Sequence, residues 1–157
     1  MTSIENIVKN QREYFYTGET IPVSFRKKML KNLSACIKKY NGEILDALHT
    51  DLNKSSFEGY VTEISIVQEE ISYTLKHLLK WAKPHKVKTP ITQFPAKCYQ
   101  YYEPYGVTLI MAPWNYPFQL TLAPLVGAIS GGNCAVLKPS NYSPATSAII
   151  KKIIEET

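Results

Sequence analysis

Two continuous apolar runs, separated by a segment of helical character, constrain the fold more than any other feature of this sequence. The runs are Val107-Thr108-Leu109-Ile110-Met111-Ala112 and Cys134-Ala135-Val136-Leu137. Apolar runs without polar alternation are typical of strands covered on both faces, as in parallel sheets. Between them, an apolar helix is predicted from about Pro117 to Gly131, with Gly131-Gly132-Asn133 ending it. The pattern predicts a βαβ unit and the α/β fold class.

Prolines refine the limits of the helices around this unit. Pro117 suits the first turn of its helix, whereas Pro124 would clash inside it, so we expect a kink at Pro124 or a late start. A last helix is predicted to begin near Ser143-Pro144, with Ser143 as the N-cap. Its apolar face would carry Ile149, Ile150, Ile153 and Ile154.

Residues 1–85 are predicted to be helical. The main signal is an apolar face of more than five turns, made of Tyr60, Ile64, Val67, Ile71, Leu75, Leu78 and Leu79. Ser55 and Glu58 form a candidate capping box at its start, and Pro84 closes its end. An earlier helix would carry Met29, Leu30, Leu33, Ile37 and Tyr40 and stop at Asn41-Gly42. A short third helix would use Ile44, Leu45, Leu48 and Leu52.

The segment from Lys86 to Pro104 has a different character. It is rich in Thr, Tyr, Phe and Pro and alternates around Lys97-Cys98-Tyr99-Gln100-Tyr101-Tyr102, which predicts extended strands. Pro90 and Pro95 favour edge positions, where no ladder hydrogen bond is lost. The chain is thus divided into helices at 1–85, a strand hairpin at 86–104 and an incomplete βαβα portion at 105–157.

Composition narrows the class of protein. The chain has 157 residues, 45% apolar and 20% charged, as expected for an ordinary globular domain. No run of about 18 apolar residues and no signal-peptide pattern is present, so we expect a cytoplasmic protein without a membrane-spanning segment. Three cysteines at wide spacings, Cys36, Cys98 and Cys134, predict reduced, buried thiols and no metal site.

Positive charge is concentrated between residues 76 and 97, which contain six lysines and no carboxylate. Such a run can attract nucleic acid or an anionic membrane. It contains no arginine and no interleaved stacking aromatics, which favours a solvated face or a lysine-rich edge strand. We therefore expect no nucleic-acid partner.

The last residues, Glu155-Glu156-Thr157, place carboxylates at the negative end of a helix dipole without a stop signal. In addition, two apolar strands need more cover than the remaining residues can provide. We therefore expect a truncated domain, or one covered by another chain.

Residues 103–141, EPYGVTLIMAPWNYPFQLTLAPLVGAISGGNCAVLKPSN, resemble the aldehyde dehydrogenase superfamily, particularly its class 3-like branch. Three linked segments carry the resemblance: Glu103-Pro104-x-Gly106-Val107, Pro113-Trp114-Asn115-Tyr116-Pro117-Phe118, and Gly132-Asn133-x-x-Val136-Leu137-Lys138-Pro139-Ser140. The helices and the hairpin also fit that branch, in which the hairpin is an oligomerisation segment. The resemblance implies the first part of a Rossmann-like NAD(P)-binding domain and a homo-oligomer, expected to be a dimer.

By this resemblance, the side-chain amide of Asn115 donates to the oxyanion that forms when a cysteine thiolate attacks an aldehyde. Its position at the carboxyl end of a parallel strand is where ligands bind in open α/β sheets. From spacing alone, an asparagine that caps the next helix explains the residue equally well.

The resemblance also implies which residues bind NAD or NADP: Met111, Ala112, Pro113, Trp114, Lys138, Ser140 and Asn141. The family's lysine at the position of Lys138 bonds the adenosine ribose. Its frequent Lys-Pro-Ser-Glu becomes Lys138-Pro139-Ser140-Asn141 here, and a neutral Asn141 does not repel a 2′-phosphate. Cys134 lies in a strand outside the motif of the family's nucleophile, which follows later in family members together with the general base.

The function expected is therefore the N-terminal part of an enzyme that oxidises an aldehyde to a carboxylic acid through a cysteine thiohemiacetal and thioester. Two alternatives are an acylating, coenzyme A-dependent relative and a non-catalytic interaction or oligomerisation module. An anion-binding module that uses the lysine-rich segment is a weaker one.

Overall fold

The computed structural model describes residues 3–157, which form seven α-helices and four short strands. The first helices are α1 (Ile4–Tyr16), α2 (Val23–Lys39), α3 (Asn41–Leu52), α4 (Ser56–Gly59) and α5 (Ser65–Trp81). A single π-helical turn, Tyr60–Ile64, joins α4 to α5 without a break. Then follow β1 (His85–Val87), β2 (Cys98–Gln100), β3 (Val107–Met111), α6 (Pro117–Gly131), β4 (Cys134–Lys138) and α7 (Pro144–Glu156).

Strands β3 and β4 are parallel and are joined by α6, which confirms the predicted βαβ unit. Their register runs from Val107 opposite Cys134 to Met111 opposite Lys138. Helix α6 ends at Gly132, whose φ of 83° is a left-handed conformation that favours glycine. The α/β fold class is therefore confirmed.

Pro124 lies inside α6, and the helix begins at Pro117 as expected for a proline in the first turn. The prediction of a late start is therefore wrong. Pro124 is exposed, and because it has no amide hydrogen, the carbonyl group of Leu120 loses its usual partner in the helix.

The core lies between α2, α3, α5, α6 and α7, while α1 packs on β3 and β4. Its largest fully buried side chains come from all five core helices and the π turn: Phe118, Leu30, Leu33, Ile37, Ile44, Leu48, Ile64, Ile71, Leu78, Leu122, Ile150 and Ile153. The predicted apolar faces of α2, α3 and α7 therefore point inward, although Ile154 is exposed. Helix α2 ends at Lys39, but Asn41 and Gly42 begin α3 at once, because they form its first turn rather than a loop.

The apolar face predicted for residues 60–79 is only partly correct. Ile64 and three α5 residues, Val67, Ile71 and Leu78, are buried, but Tyr60 and Leu79 are exposed. The π turn inserts one extra residue, so Gly59 rather than Tyr60 lies on the buried face one turn before Ile64. Ser55 accepts from the Glu58 amide at 3.2 Å, which is one of the two bonds of the predicted capping box. Among residues 3–157, the Glu58 side chain does not accept from the Ser55 amide, so the prediction is only half confirmed.

The predicted hairpin is present as a three-residue antiparallel pair, β1 with β2. Pro90 and Pro95 are not in its edge strands, so their predicted placement is wrong. They flank a 3₁₀ turn, Ile91–Gln93, in the connecting segment, where a residue without an amide hydrogen removes no ladder bond. The six lysines of residues 76–97 are exposed, as expected for a solvated face.

Helix α7 begins at Pro144 with Ser143 in the N-cap position, but the Ser143 hydroxyl does not cap it. The Asp51 carboxylate does so instead, since it accepts from the Ala145 amide at 3.1 Å and the Thr146 amide at 2.7 Å. Asp51 lies in the last turn of α3. The end of α3 is therefore fixed to the start of α7.

Part of the parallel sheet lacks cover within residues 3–157. Ile110 is buried, but Leu109 and Met111 are 61% and 70% exposed. This agrees with the expectation that a chain of this length cannot cover both faces of the strands. Within the same residues, no helix combines the length and apolar character needed to cross a membrane.

Candidate functional site

The loops that follow β3 and β4 lie side by side at the carboxyl edge of the parallel sheet. Met111 and Lys138 are register partners, and the Ala112 amide donates to the Lys138 carbonyl at 3.2 Å. The residues singled out in the sequence therefore lie on two neighbouring segments, 111–115 and 138–141. This edge is the usual ligand-binding position in open α/β sheets.

Asn115 is an exposed residue of the first loop. The N-cap of α6 is Tyr116, and no side chain at that position caps the helix. The alternative in which Asn115 caps α6 is therefore wrong. Among residues 3–157 the Asn115 side chain has no hydrogen-bond partner, so its amide is free to donate to a ligand.

The amides at the start of α6 are satisfied by a residue distant in sequence. Oε2 of Glu63 accepts from the Phe118 amide at 2.9 Å and from the Gln119 amide at 3.1 Å. Pro117 has no amide hydrogen, and the Leu120 amide makes the first regular helical bond, to the Tyr116 carbonyl. Glu63 thus replaces the cap that Asn115 does not provide, and it complements the positive end of the helix dipole.

Glu63 forms a buried ion pair with Lys54. The Lys54 ammonium lies 2.5 Å from Oε1 of Glu63, and the two side chains are 8% and 0% exposed. The same ammonium donates to the backbone carbonyl of Asn115 at 3.1 Å and lies 4.0 Å from the centre of the Tyr116 ring. A buried charge is tolerated in a protein only when it has such partners. The partners of Lys54 are Glu63, the Asn115 carbonyl and the Tyr116 ring, so the ammonium joins the π turn to the loop that carries Asn115.

Sequence reasoning missed this pair. In the sequence, Lys54 lies between two predicted helices, and Glu63 lies among the apolar residues of the second one. The available signal was a carboxylate next to Ile64 on a face expected to be apolar, because such a residue needs a buried partner. Nothing in the spacing could have identified that partner.

The residues expected to bind a cofactor differ in exposure. Lys138 and Asn141 are exposed, and among residues 3–157 their side chains make no hydrogen bond. Pro113 and Trp114 are also exposed. Ala112 and Ser140 are buried, and the Ser140 hydroxyl accepts from the Tyr142 amide at 3.2 Å. A cation and an amide thus remain available at the loop after β4, which suits the hydroxyls and phosphates of a dinucleotide.

The three cysteines occupy structural settings. Cys36 and Cys134 are buried in α2 and β4 as predicted, but Cys98 in β2 is only half-buried, so the prediction of a buried thiol is wrong for this residue. Burial raises the pKa of the Cys134 thiol, which keeps it protonated and weakly nucleophilic near neutral pH. Within the described residues, no group of three His, Cys, Asp or Glu side chains is placed to hold a metal ion.

Comparison with known proteins gives one consistent family. A family model described as the aldehyde dehydrogenase family matches residues 1–157. The 4,4'-diaponeurosporen-aldehyde dehydrogenase of Staphylococcus aureus (strain NCTC 8325 / PS 47) is 47% identical over 100% of this chain and 34% of its own length. Aldehyde dehydrogenase family 3 member B1 of Rattus norvegicus is 42% identical over 98% of this chain and 33% of its own. The dimeric NADP-preferring aldehyde dehydrogenase of Canis lupus familiaris is 41% identical over 99% of this chain and 34% of its own length.

Solved structures agree. The substrate-bound state of Staphylococcus aureus AldH is 47% identical, with a TM-score of 0.96 over 100% of this chain and 34% of that one. The glyceraldehyde-3-phosphate dehydrogenase GapN of Methanocaldococcus jannaschii, complexed with NADP, is 22% identical, with a TM-score of 0.83 over 96% of this chain and 32% of that one. This likeness shows a shared fold. The chain spans about a third of the length of the relatives it matches.

Proposed function

Because this chain belongs to the aldehyde dehydrogenase family, we propose that it supplies the oxyanion donor and part of the cofactor site of an enzyme that oxidises an aldehyde to a carboxylic acid with NAD or NADP. The observation that carries the proposal is the free side-chain amide of Asn115 at the carboxyl edge of the sheet. The buried Lys54–Glu63 pair beside it supports the same assignment.

In the proposed reaction, a cysteine thiolate from outside residues 1–157 forms a bond to the aldehyde carbon. The carbonyl electron pair moves to the oxygen, and the Asn115 amide donates a hydrogen bond to the resulting oxyanion. A donor aimed at developing charge lowers the barrier because the interaction is stronger in the transition state than in the ground state. The thioester formed later would be hydrolysed, whereas an acylating relative would transfer it to coenzyme A.

The cofactor would lie along the two loops. Lys138 and Asn141 would hold its ribose, and the segment 111–114 would form the adjacent wall. When bound, NAD or NADP supplies the hydride acceptor that the oxidation requires. Ser140 would act through the shape of its turn, because its hydroxyl is buried and already bonded within the loop.

Asn115→Ala tests the proposal. In the whole protein that carries this chain, we expect kcat to fall roughly a hundredfold or more with little change in KM for the cofactor, as for the loss of one oxyanion donor. The melting temperature should stay near that of the wild type, since the side chain bonds nothing in residues 3–157. The measurement is steady-state kinetics with an aldehyde substrate, alongside thermal unfolding.

A near-normal kcat in Asn115→Ala would contradict the proposed donor. Asn115→Asp is the matched control for side-chain size, because it keeps the shape but offers a negative charge to a developing oxyanion. It should be no more active than Asn115→Ala.

A further inference from the structure

The segment that carries Asn115 is held by few contacts within the described residues. Before it, the Ala112 amide is bonded to the Lys138 carbonyl, and after it, α6 is fixed by Glu63. Between these two points, residues 113–116 are exposed, and the hydrogen bond that reaches Asn115 itself comes from Lys54. The direction of the Asn115 amide therefore depends on how its own carbonyl group is held.

Lys54 is a firm anchor because its position is determined from three directions. It follows Asn53, the left-handed C-cap of α3, and its ammonium is buried. Glu63 neutralises that charge from the π turn, and the centre of the Tyr116 ring lies 4.0 Å from the ammonium. Removing either charge would leave the other buried and unpaired.

Glu63 links the two halves of the site with its two oxygens. Oε1 contacts Lys54, which holds the carbonyl group of Asn115, while Oε2 accepts from two amides at the start of α6. The buried Glu63 carboxylate thus fixes the position of the loop that carries Asn115, through Lys54, and the position of the first turn of α6 directly. Both side chains are buried, so neither Glu63 nor Lys54 is available to contact a substrate directly.

We propose that Lys54 and Glu63 are positioning residues for aldehyde oxidation, which hold the Asn115 backbone so that its side-chain amide meets the oxyanion. The proposal rests on the function proposed above. It assigns no contact with the reacting atoms to either residue, so their effect on the rate passes through Asn115.

The test combines substitution of the pair with Asn115→Ala in the whole enzyme. In Lys54→Met/Glu63→Gln, both charges are removed together, and glutamine keeps an oxygen that can accept from the α6 amides. Replacing a buried ion pair as a unit by neutral side chains of similar volume costs far less stability than breaking it. Lys54→Met alone is measured beside it.

We expect the double substitution to lower kcat by roughly ten- to a hundredfold, with KM for the cofactor unchanged, as for a misplaced catalytic group. In the Asn115→Ala background, the same double substitution should lower kcat by less than about twofold, because residues that act as a unit are not additive. Leu33→Ala, a core substitution in α2, is the control for stability. It should lower the melting temperature at least as much and leave kcat at a permissive temperature near the wild-type value.

Two results would overturn the proposal. One is an unchanged kcat in the double variant, and the other is the same fold-loss in both backgrounds, which would mean that the pair acts independently of Asn115. Failure of the proposed function has a different signature, namely a normal kcat in Asn115→Ala or a wild-type protein that oxidises no aldehyde. If the double variant does not fold, the same comparison of backgrounds is made with Lys54→Arg, which keeps a positive charge beside Glu63 but replaces the ammonium that donates to the Asn115 carbonyl.

Discussion

Asn141 is a single residue on which the choice between NAD and NADP can depend. It is exposed in the loop after β4, three residues beyond Lys138. A carboxylate at this position would accept from both ribose hydroxyls and repel a 2′-phosphate, whereas an amide carries no charge. We therefore expect the whole protein to use NAD and NADP within about an order of magnitude in kcat/KM, or roughly 1.4 kcal/mol.

Asn141→Glu should restore a preference for NAD, mainly by weakening NADP through like-charge repulsion. Asn141→Gln is the matched control, because it has the length of glutamate without the charge and should keep dual use. The pair of kcat/KM values is measured for the wild type and both variants. A wild type that rejects NADP a thousandfold would place the control of cofactor choice elsewhere.

Among single residues, Asn115 could be located from the sequence, and Lys54 and Glu63 could not. The motif around Asn115 is local, and the end of an apolar strand is visible in the order of residues. The ion pair joins residues nine positions apart and acts on a loop that lies 61 positions after Lys54. Such a contact depends on how α3, the π turn and α6 pack, which residue order alone does not specify.

At the scale of elements, the end of α6 depends on one glycine. Gly132 has a φ of 83°, and a Cβ there would lie 2.9 Å from the Arg26 guanidinium. The guanidinium cannot easily move, because it donates to the carbonyls of Thr20, Ile21 and Ser130. Gly132→Ala should therefore destabilise the protein by about 1–3 kcal/mol, from the left-handed backbone and the close contact together.

Gly127→Ala in the same helix is the matched control. Its Cβ would meet nothing within 4 Å, so the substitution should stabilise the helix by up to about 1 kcal/mol through higher helix propensity. The free energies of unfolding are compared by urea denaturation. Equal effects of the two substitutions would mean that the conformation of Gly132 does not control the end of α6.

The helices themselves were predictable because their apolar periodicity is long, and because Ser55 caps α4 from a neighbouring position. The π turn was not, since one inserted residue leaves the spacing after Ile64 intact and changes only which earlier residue is buried. The π turn places the Glu63 carboxylate against the start of α6. The same turn that makes the predicted apolar face of residues 60–79 partly wrong therefore also supports the candidate site. The capping of α7 by Asp51 could not be predicted either, because Asp51 and the amides that it accepts from are about 94 residues apart in sequence.

At the scale of the whole molecule, we propose that the hairpin contacts a second copy. The segment between its strands exposes Ile91 and Phe94 at 90% and 85%, so two large apolar side chains are available for a contact there. We expect the whole protein to sediment at dimer mass, and Ile91→Ser/Phe94→Ser to shift it toward monomer.

Phe57→Ser is the control, because Phe57 is also exposed but belongs to α4 and not to the hairpin. It should leave the dimer intact. A wild type that sediments as a monomer over the accessible concentration range would refute the proposed contact.

The end of α3 has a consequence for protein engineering. Asp51 fixes the start of α7, and Lys54 fixes Asn115, so one short segment supports both loops at the carboxyl edge. A chimera that receives the loops after β3 and β4 from this protein, but keeps its own residues at 51–63, would inherit Asn115 and Asn141 without the side chains that hold the two loops in place. The smallest transferable unit of this site therefore begins about sixty residues before its donor amide.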